Sequence, residues 1–207
     1  MVAPRTVPGG ELGSGVPAGR GAWEEALPAL MVRYQQGDPA AVDELVSQLS
    51  GPLMRFLSAF ALPRADTEDL LQECWIRVHK ARHTYRAPQP VLPWIFAIAR
   101  HARVDSYRRR RRRSAHEVLV PSLPDRGSSG SDGGEQPDLA EFDRMLESLP
   151  ESQREVIVML KVTEMSVEEV ARATSSTVGA VKQKVHRAYE KLRLVLGKGR
   201  SKGMPNG

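Results

Sequence analysis

The sequence predicts an all-α fold: two small helical domains joined by a flexible linker. Apolar residues recur at i, i+3 or i+4, and i+7 through two long blocks, about 23–113 and 138–196, and no stretch alternates convincingly as a half-buried strand would. Between the blocks, residues 114–137 hold Pro121, Pro124, Gly127-Ser128-Ser129-Gly130 and Gly133-Gly134. That composition is a linker, with a random-coil span on the order of 25–30 Å. Helix-start signals punctuate both blocks.

Residues 1–22 are rich in Pro and Gly and lack an apolar run, so they are expected to be a disordered tail, neither a signal peptide nor an anchor. Gly37-Asp38-Pro39 is a helix start, with Asp38 as N-cap and Pro39 at the first helical position. Asp66-Thr67-Glu68-Asp69 opens another helix, acidic where the macrodipole favours it. Its continuation divides by helical spacing. Leu71, Trp75 and Val78 face a core, while Asp69, Gln72, Glu73 and Ile76 share a second face. An isoleucine among carboxylates and an amide suits an interface with a basic, partly apolar helix as well as it suits solvent. After Pro88-Gln89-Pro90 and Pro93, a third helix is expected over Trp94–Arg112, with Ile95, Ile98, Ala99 and Ala102 inward and Arg100, Arg103 and Tyr107 on another face.

In the second block, Leu149-Pro150 precedes an apolar helix, Val156–Leu160. Ser166 with Glu169 three residues on forms a capping box for the next helix. Thr174-Ser175-Ser176-Thr177 is a short turn, with Thr177 as the following N-cap. Val178, Val181, Val185, Ala188, Leu192 and Val195 then form one continuous stripe. Ala180, Gln183 and Arg187 lie opposite, flanked by Thr177, Lys182 and Lys184. A cationic helix after a short helix and tight turn suits the major groove, where Gln pairs with adenine and Arg or Lys with guanine or phosphate. Residues 197–207 are expected to be a basic disordered tail.

Thirty Lys+Arg against twenty-five Asp+Glu give a net charge of +5 over 207 residues. The charge is concentrated. Arg100–Arg113 carries a local +7 and Lys182–Lys202 another +7, leaving the remainder near −9. Two cationic segments on an acidic remainder point to two anion contacts, with nucleic-acid phosphate the favoured target. A single Cys excludes a disulfide framework and a Cys-rich zinc module, and fits a reducing cytoplasm. No window is apolar enough to span a membrane.

Leu149-Pro150-x-x-Gln153-Arg154-Glu155, Met165-Ser166-Val167-Glu168-Glu169-Val170-Ala171, Val178-Gly179-Ala180-Val181-Lys182, His186-Arg187-Ala188 and Lys191-Leu192-Arg193 together resemble the promoter-reading C-terminal domain of bacterial sigma factors. The similarity is to the small, two-domain, extracytoplasmic-function (ECF) group of the sigma-70 type. One departure stands in the turn, where Thr174-Ser175 replaces the family's usual Leu-Gly. Asp69-Leu70-Leu71-Gln72-Glu73-x-x-Ile76-Arg77-Val78 is similar to the segment that grips the clamp coiled coil of the polymerase's largest subunit. Pro93-Trp94-Ile95-Phe96-Ala97-Ile98-Ala99-Arg100-His101 with Val104-Asp105-Ser106-Tyr107-Arg108 resembles the family's segment for the promoter element near the start site.

The resemblance implies an alternative, non-enzymatic sigma factor. Region 2 would occupy 23–113 and region 4 would occupy 138–196. Asp69, Gln72, Glu73 and Ile76 would bind core RNA polymerase. Arg100, His101, Arg103, Asp105, Tyr107, Arg108, Arg109 and Arg110 would meet the −10 element. Thr177, Ala180, Lys182, Gln183, Lys184 and Arg187 would meet the −35 element. Implied partners are core polymerase, through the clamp and the flap region, promoter DNA, and an anti-sigma factor of the kind often held at the inner membrane. No catalytic residue, cofactor or metal is implied.

Other readings of single residues stay open. Trp94 and Phe96 suit core packing as well as an unstacked base, and Asp105 suits a salt bridge to an Arg as well as a base contact. For the whole chain, the rival is an autonomous helix-turn-helix regulator. A metal hydrolase built on Cys74, His79 and His83 is the enzymatic rival. Cys74 is expected in the core, and nothing nearby in sequence supplies a resolving thiol for redox sensing.

Overall fold

The computed structural model describes residues 20–60, 62–116 and 144–200, and every regular element among them is helical. In order they are α1 (Arg20–Gln35), α2 (Pro39–Ser58), α3 (Arg64–Ala81), a 3₁₀ turn (Arg82–Thr84), α4 (Val91–His116), a helical turn at 144–147, α5 (Glu151–Lys161), α6 (Val167–Ala173) and α7 (Val178–Arg200). Most of the expected tail (1–19), most of the expected linker (117–137), residues 138–143 and residues 201–207 lie outside the described residues. Several boundaries differ from expectation. Helix α1 already starts at Arg20, α4 continues to His116, and α7 runs to Arg200.

The turn from α1 to α2 is built from backbone bonds. The Gly37 N–H donates to the Tyr34 carbonyl and the Asp38 N–H to the Arg33 carbonyl, both at 3.1 Å. This crossed pair closes a helix only when the residue past its end takes positive φ, and Gly37 sits at +88°. Asp38 then caps α2 by accepting from the Ala40 N–H at 3.0 Å, with Pro39 in the first turn. Arg33 holds the same carboxylate at 2.7 Å and keeps its pKa below the usual range.

Helices α2, α3 and α4 build the first core. Leu45, Leu49, Leu53 and Leu57 run along α2 at four-residue spacing with Phe56 beside them. Phe96 of α4 meets Phe56 edge-on, with centroids 5.4 Å apart. On α3 the fully inward row is Leu70, Cys74 and Val78 with Thr67, while Leu71 and Trp75 pack at its margin. Trp75 Nε1 donates to Ser50 Oγ at 3.1 Å. Helix α4 begins three residues before the expected Trp94. Pro93 is accommodated there because first-turn N–H groups have no intrahelical acceptor to lose. Trp94 is half-buried, and its Nε1 donates to Thr84 Oγ1 at 3.2 Å.

The second group closes around Val156, Ile157, Val158 and Met159 of α5, Val170 and Ala171 of α6, and Val181 and Ala188 of α7. Ser166 and Glu169 form the expected capping box in both directions. Thr177 Oγ1 accepts from the Ala180 N–H at 3.1 Å and starts α7. The two groups do not stand apart: α4 packs on α6, and the buried residues of all seven helices join one contiguous cluster. Among the described residues, no helix is long and apolar enough to cross a membrane.

Candidate docking face and nucleic-acid interface

On α3, Asp69, Gln72 and Ile76 stand exposed along one ridge, with Ile76 50% accessible. Glu73 completes the ridge but is half-buried. Arg77 donates Nε to Glu73 at 2.8 Å and Nη1 to Asp105 of α4 at 2.7 Å. That guanidinium holds both carboxyls below the usual carboxylate range, and the carboxylates, Asp105 foremost, raise the Arg77 pKa in return. Asp105 is therefore engaged in a salt bridge, with an arginine from the neighbouring helix. One turn before the ridge, Asp66 pairs with Arg110, so α3 and α4 are laced together by opposite charges.

Helix α4 carries two different cationic surfaces. His101, Tyr107, Arg108, Arg109, Arg111 and Arg112 are exposed, and four of these arginines line an open shallow surface around Asp105. Among the described residues, no ion pair takes Arg108, Arg109, Arg111 or Arg112. Arg100 and Arg103 are placed otherwise. The expectation that they line an open face with Tyr107 is not met, because α5 covers them. Arg103 is 6% accessible and sits between the Phe60 ring, 3.8 Å from its guanidinium carbon, and two carboxylates of α5, Glu151 and Glu155. Arg100 donates to Glu155 at 3.1 Å.

The position of α7 is set by the turn before it. The Ser176 N–H donates to the Ala171 carbonyl at 2.8 Å and the Ser175 N–H to the Arg172 carbonyl at 3.2 Å. This is the same crossed closure as at Gly37, and it places Ser175 at φ +50°. The position that the sequence fills with Ser thus takes the backbone that favours Gly. The closure survives, so α7 keeps its place against α5 and α6. Along α7, Val178, Val181, Val185, Ala188 and Leu192 pack inward, and Val195 projects. Thr177, Lys182, Gln183 and Arg187 are exposed on the outer face, with Ala180 and Lys184 half-buried between them. A small residue between cations gives that face the shape and charge that suit a groove and its phosphates.

Two segments of the chain match known family models: Sigma-70 region 2 over residues 45–113, and Sigma-70 region 4 over residues 139–192. The chain is 35% identical over 171 residues to the ECF RNA polymerase sigma factor SigF of Caulobacter vibrioides, covering 82% of this chain and 93% of that one. It belongs to the ECF group of sigma-70-type RNA polymerase sigma factors. It is also 29% identical over 170 residues to the RNA polymerase sigma factor CarQ of Myxococcus xanthus, covering 81% and 95% of the two chains.

Among solved structures, CnrH, determined with the cytosolic domain of CnrY, superposes with a TM-score of 0.65 at 24% identity, covering 83% of this chain and 97% of that one. The sigma factor RpoE of Bartonella quintana, determined with the anti-sigma factor NepR, gives 0.61 at 22%, covering 75% and 96%. Both share this all-helical fold. Sigma factors are initiation factors rather than enzymes. In this one the α3 ridge and α4 as far as Arg113 fall within the region 2 match, and α5 to α7 as far as Leu192 fall within the region 4 match.

Residue reasoning missed Arg77, Phe60, Glu151 and Glu155, all of which shape the faces above. Arg77 carried a local signal, four residues after Glu73. The other three act only across helix contacts. Cys74 lies wholly inside, and burial pushes its thiol up to about 12. His79 instead meets the Tyr34 hydroxyl at 2.9 Å, so it does not join Cys74 at a common site.

Proposed function

We propose that this alternative sigma factor docks on core RNA polymerase through Asp69, Gln72, Glu73 and Ile76 on the α3 ridge, against the clamp coiled coil of the largest subunit. Helix α4 then meets the −10 element through Arg100, His101, Arg103, Asp105, Tyr107, Arg108, Arg109 and Arg110. Helix α7 reads the −35 element with Thr177, Ala180, Lys182, Gln183, Lys184 and Arg187, near the flap region. Region 2 is assigned to 23–113 and region 4 to 138–196, tethered by 114–137. An anti-sigma partner, of the inner-membrane kind, holds the factor in the cytoplasm until a stress signal.

One observation carries the reading. Ile76 stands half exposed in a row with Asp69 and Gln72 on α3, while the cationic outer face of α7 is open to solvent. An apolar side chain ringed by acceptors matches a basic helix with an apolar stripe, and burying it contributes about 1–2 kcal/mol. Two modest contacts on one tether gain from effective concentration, so neither need be tight alone. Run-off transcription with purified core polymerase tests the reading. Specific transcripts that depend on this chain support it. A tight, sequence-specific DNA complex formed without polymerase, and no transcripts with it, would favour the autonomous regulator instead.

A further inference from the structure

We propose that Glu151 and Glu155 of α5 form an internal substitute for DNA phosphate, holding Arg100 and Arg103 of α4 in a closed state that opens before promoter is read. The proposal rests on α4 being the −10 helix, and it adds a regulatory step to that role.

The contact has the chemistry of the ligand it displaces. Arginine takes carboxylate and phosphate oxygens with the same planar fork of donors. Arg103 reaches Glu155 through Nη2 at 3.1 Å and Glu151 through Nη1, and Arg100 reaches Glu155 at 3.1 Å. These bonds join residues 48 to 55 positions apart, in different helical groups. Both partners at the centre are sequestered, with side-chain accessibilities of 7% for Arg103 and 5% for Glu155. DNA cannot reach Arg103 while α5 is in place.

The closure is also imperfect, as a latch must be. Arg103 Nε is buried and finds no acceptor among the described residues. A buried ion cluster with an unmet donor stabilises a permanent interface less well than apolar side chains of the same volume. Phosphates offering the missing acceptor compete directly for the guanidinium.

Geometry makes opening necessary. Helix α4 packs on α6 and α6 packs on α7, so the axes of α4 and α7 lie within two helix-packing spacings, roughly 20 Å. Elements about 25 base pairs apart are separated by roughly 85 Å of duplex. The closed chain cannot lie on both. The latch nevertheless leaves the outer face of α7 and Arg108, Arg109, Arg111 and Arg112 exposed, so it withholds one contact rather than hiding the whole protein.

The test needs no known promoter. Free full-length chain is titrated onto a fluorescent mixed-sequence DNA duplex across a salt series, and its radius of gyration is measured by small-angle X-ray scattering. Glu151→Gln with Glu155→Gln is compared with the wild type and with Asp43→Asn/Glu164→Gln, which removes equal charge at exposed positions away from the latch. Freeing two arginines adds about two phosphate contacts. The latch variant is then expected to lose a further roughly tenfold in affinity between 50 and 200 mM salt, relative to the control. Its radius of gyration is expected to rise.

A salt slope and radius equal to the control's would overturn the proposal. If the double variant fails to fold, Glu151→Gln alone is the substitute, since Glu151 is half exposed. A slope between wild type and the two-contact expectation supports the latch, and a slope equal to that of wild type overturns it. Core polymerase is then added separately. A chain that opens as described but never binds polymerase would remove the sigma reading while leaving the latch standing. A chain that binds polymerase with no change of slope or radius would do the reverse.

Discussion

Arg77 of α3 donates to Asp105 of α4 across 2.7 Å and, from its Nε, to Glu73 one helical turn back. One guanidinium thus ties the ridge assigned to polymerase docking to the helix assigned to promoter DNA. The Glu73 carboxylate is oriented by an internal partner, and Asp105 is held by the same arginine from the neighbouring helix.

Both carboxylates have folded pKa values below their ordinary values, chiefly through the hydrogen bond from Arg77. A lowered folded pKa stabilises the native state above the unfolded value of about 4, and that stabilisation is lost as pH falls through the folded value. Thermal melts between pH 6 and pH 2.5 should therefore show a shallower acid limb for Arg77→Met than for wild type. Both carboxylates are more than a third exposed, so the difference is at most about 1 kcal/mol after solvent screening. An acid limb of equal or greater steepness in the variant would show that this triad is not coupled to folding.

Ser175 holds φ +50° in a turn whose two backbone bonds demand it. Ser175→Gly should stabilise the region 4 helices by about 1 kcal/mol, because only glycine adopts that conformation without a Cβ penalty. Calorimetry should show a melting point raised by a few degrees. A β-branched residue at the same place, Ser175→Val, should lower it. A destabilising glycine would mean that chain entropy outweighs the relief of strain.

The inner and outer rows of α7 should separate stability from reading. Lys182→Ala and Arg187→Ala remove exposed side chains and should change folding stability by no more than about 0.5 kcal/mol. Each should still weaken binding to a distal promoter element, by about 1–3 kcal/mol where the side chain reaches a base edge. Val181→Ala should do the opposite, costing about 1–3 kcal/mol of stability from a fully buried site. Melts and promoter-dependent transcription measured on the same three variants check the division.

Cys74 should behave as a core side chain. With burial pushing its thiol up to about 12, almost no thiolate exists at pH 8. Alkylation by iodoacetamide should be negligible in buffer and complete in denaturant. Rapid labelling of the native chain would place Cys74 outside the core.

What was legible in the sequence was local. Asp38, Ser166 with Glu169, and Thr177 announce helix starts because their side chains bond to backbone within three residues. The α7 stripe from Val178 to Leu192 was readable because one face of one helix carries it. On α3 the same logic was less sharp. Leu70 and Leu71 both fit a helical face, and only packing against α2 selects the row Leu70–Cys74–Val78 as the deepest. Arg103 shows where periodicity stops. Its spacing from Arg100 and Tyr107 predicts an open cationic face. Its burial depends on Glu151 and Glu155 arriving some fifty residues later on another helix, and on the Phe60 ring beneath it.

The central claim is that the α3 ridge holds this chain on core RNA polymerase. Co-sedimentation of the purified chain with core polymerase tests it most directly, comparing wild type with Asp69→Ala/Ile76→Ala. Both residues are exposed, so the variant should fold as wild type does. The account predicts that wild type co-migrates and that the variant binds at least about tenfold more weakly, with its melting point and its duplex affinity unchanged. Equal co-migration of the two, or none for the wild type, would contradict it.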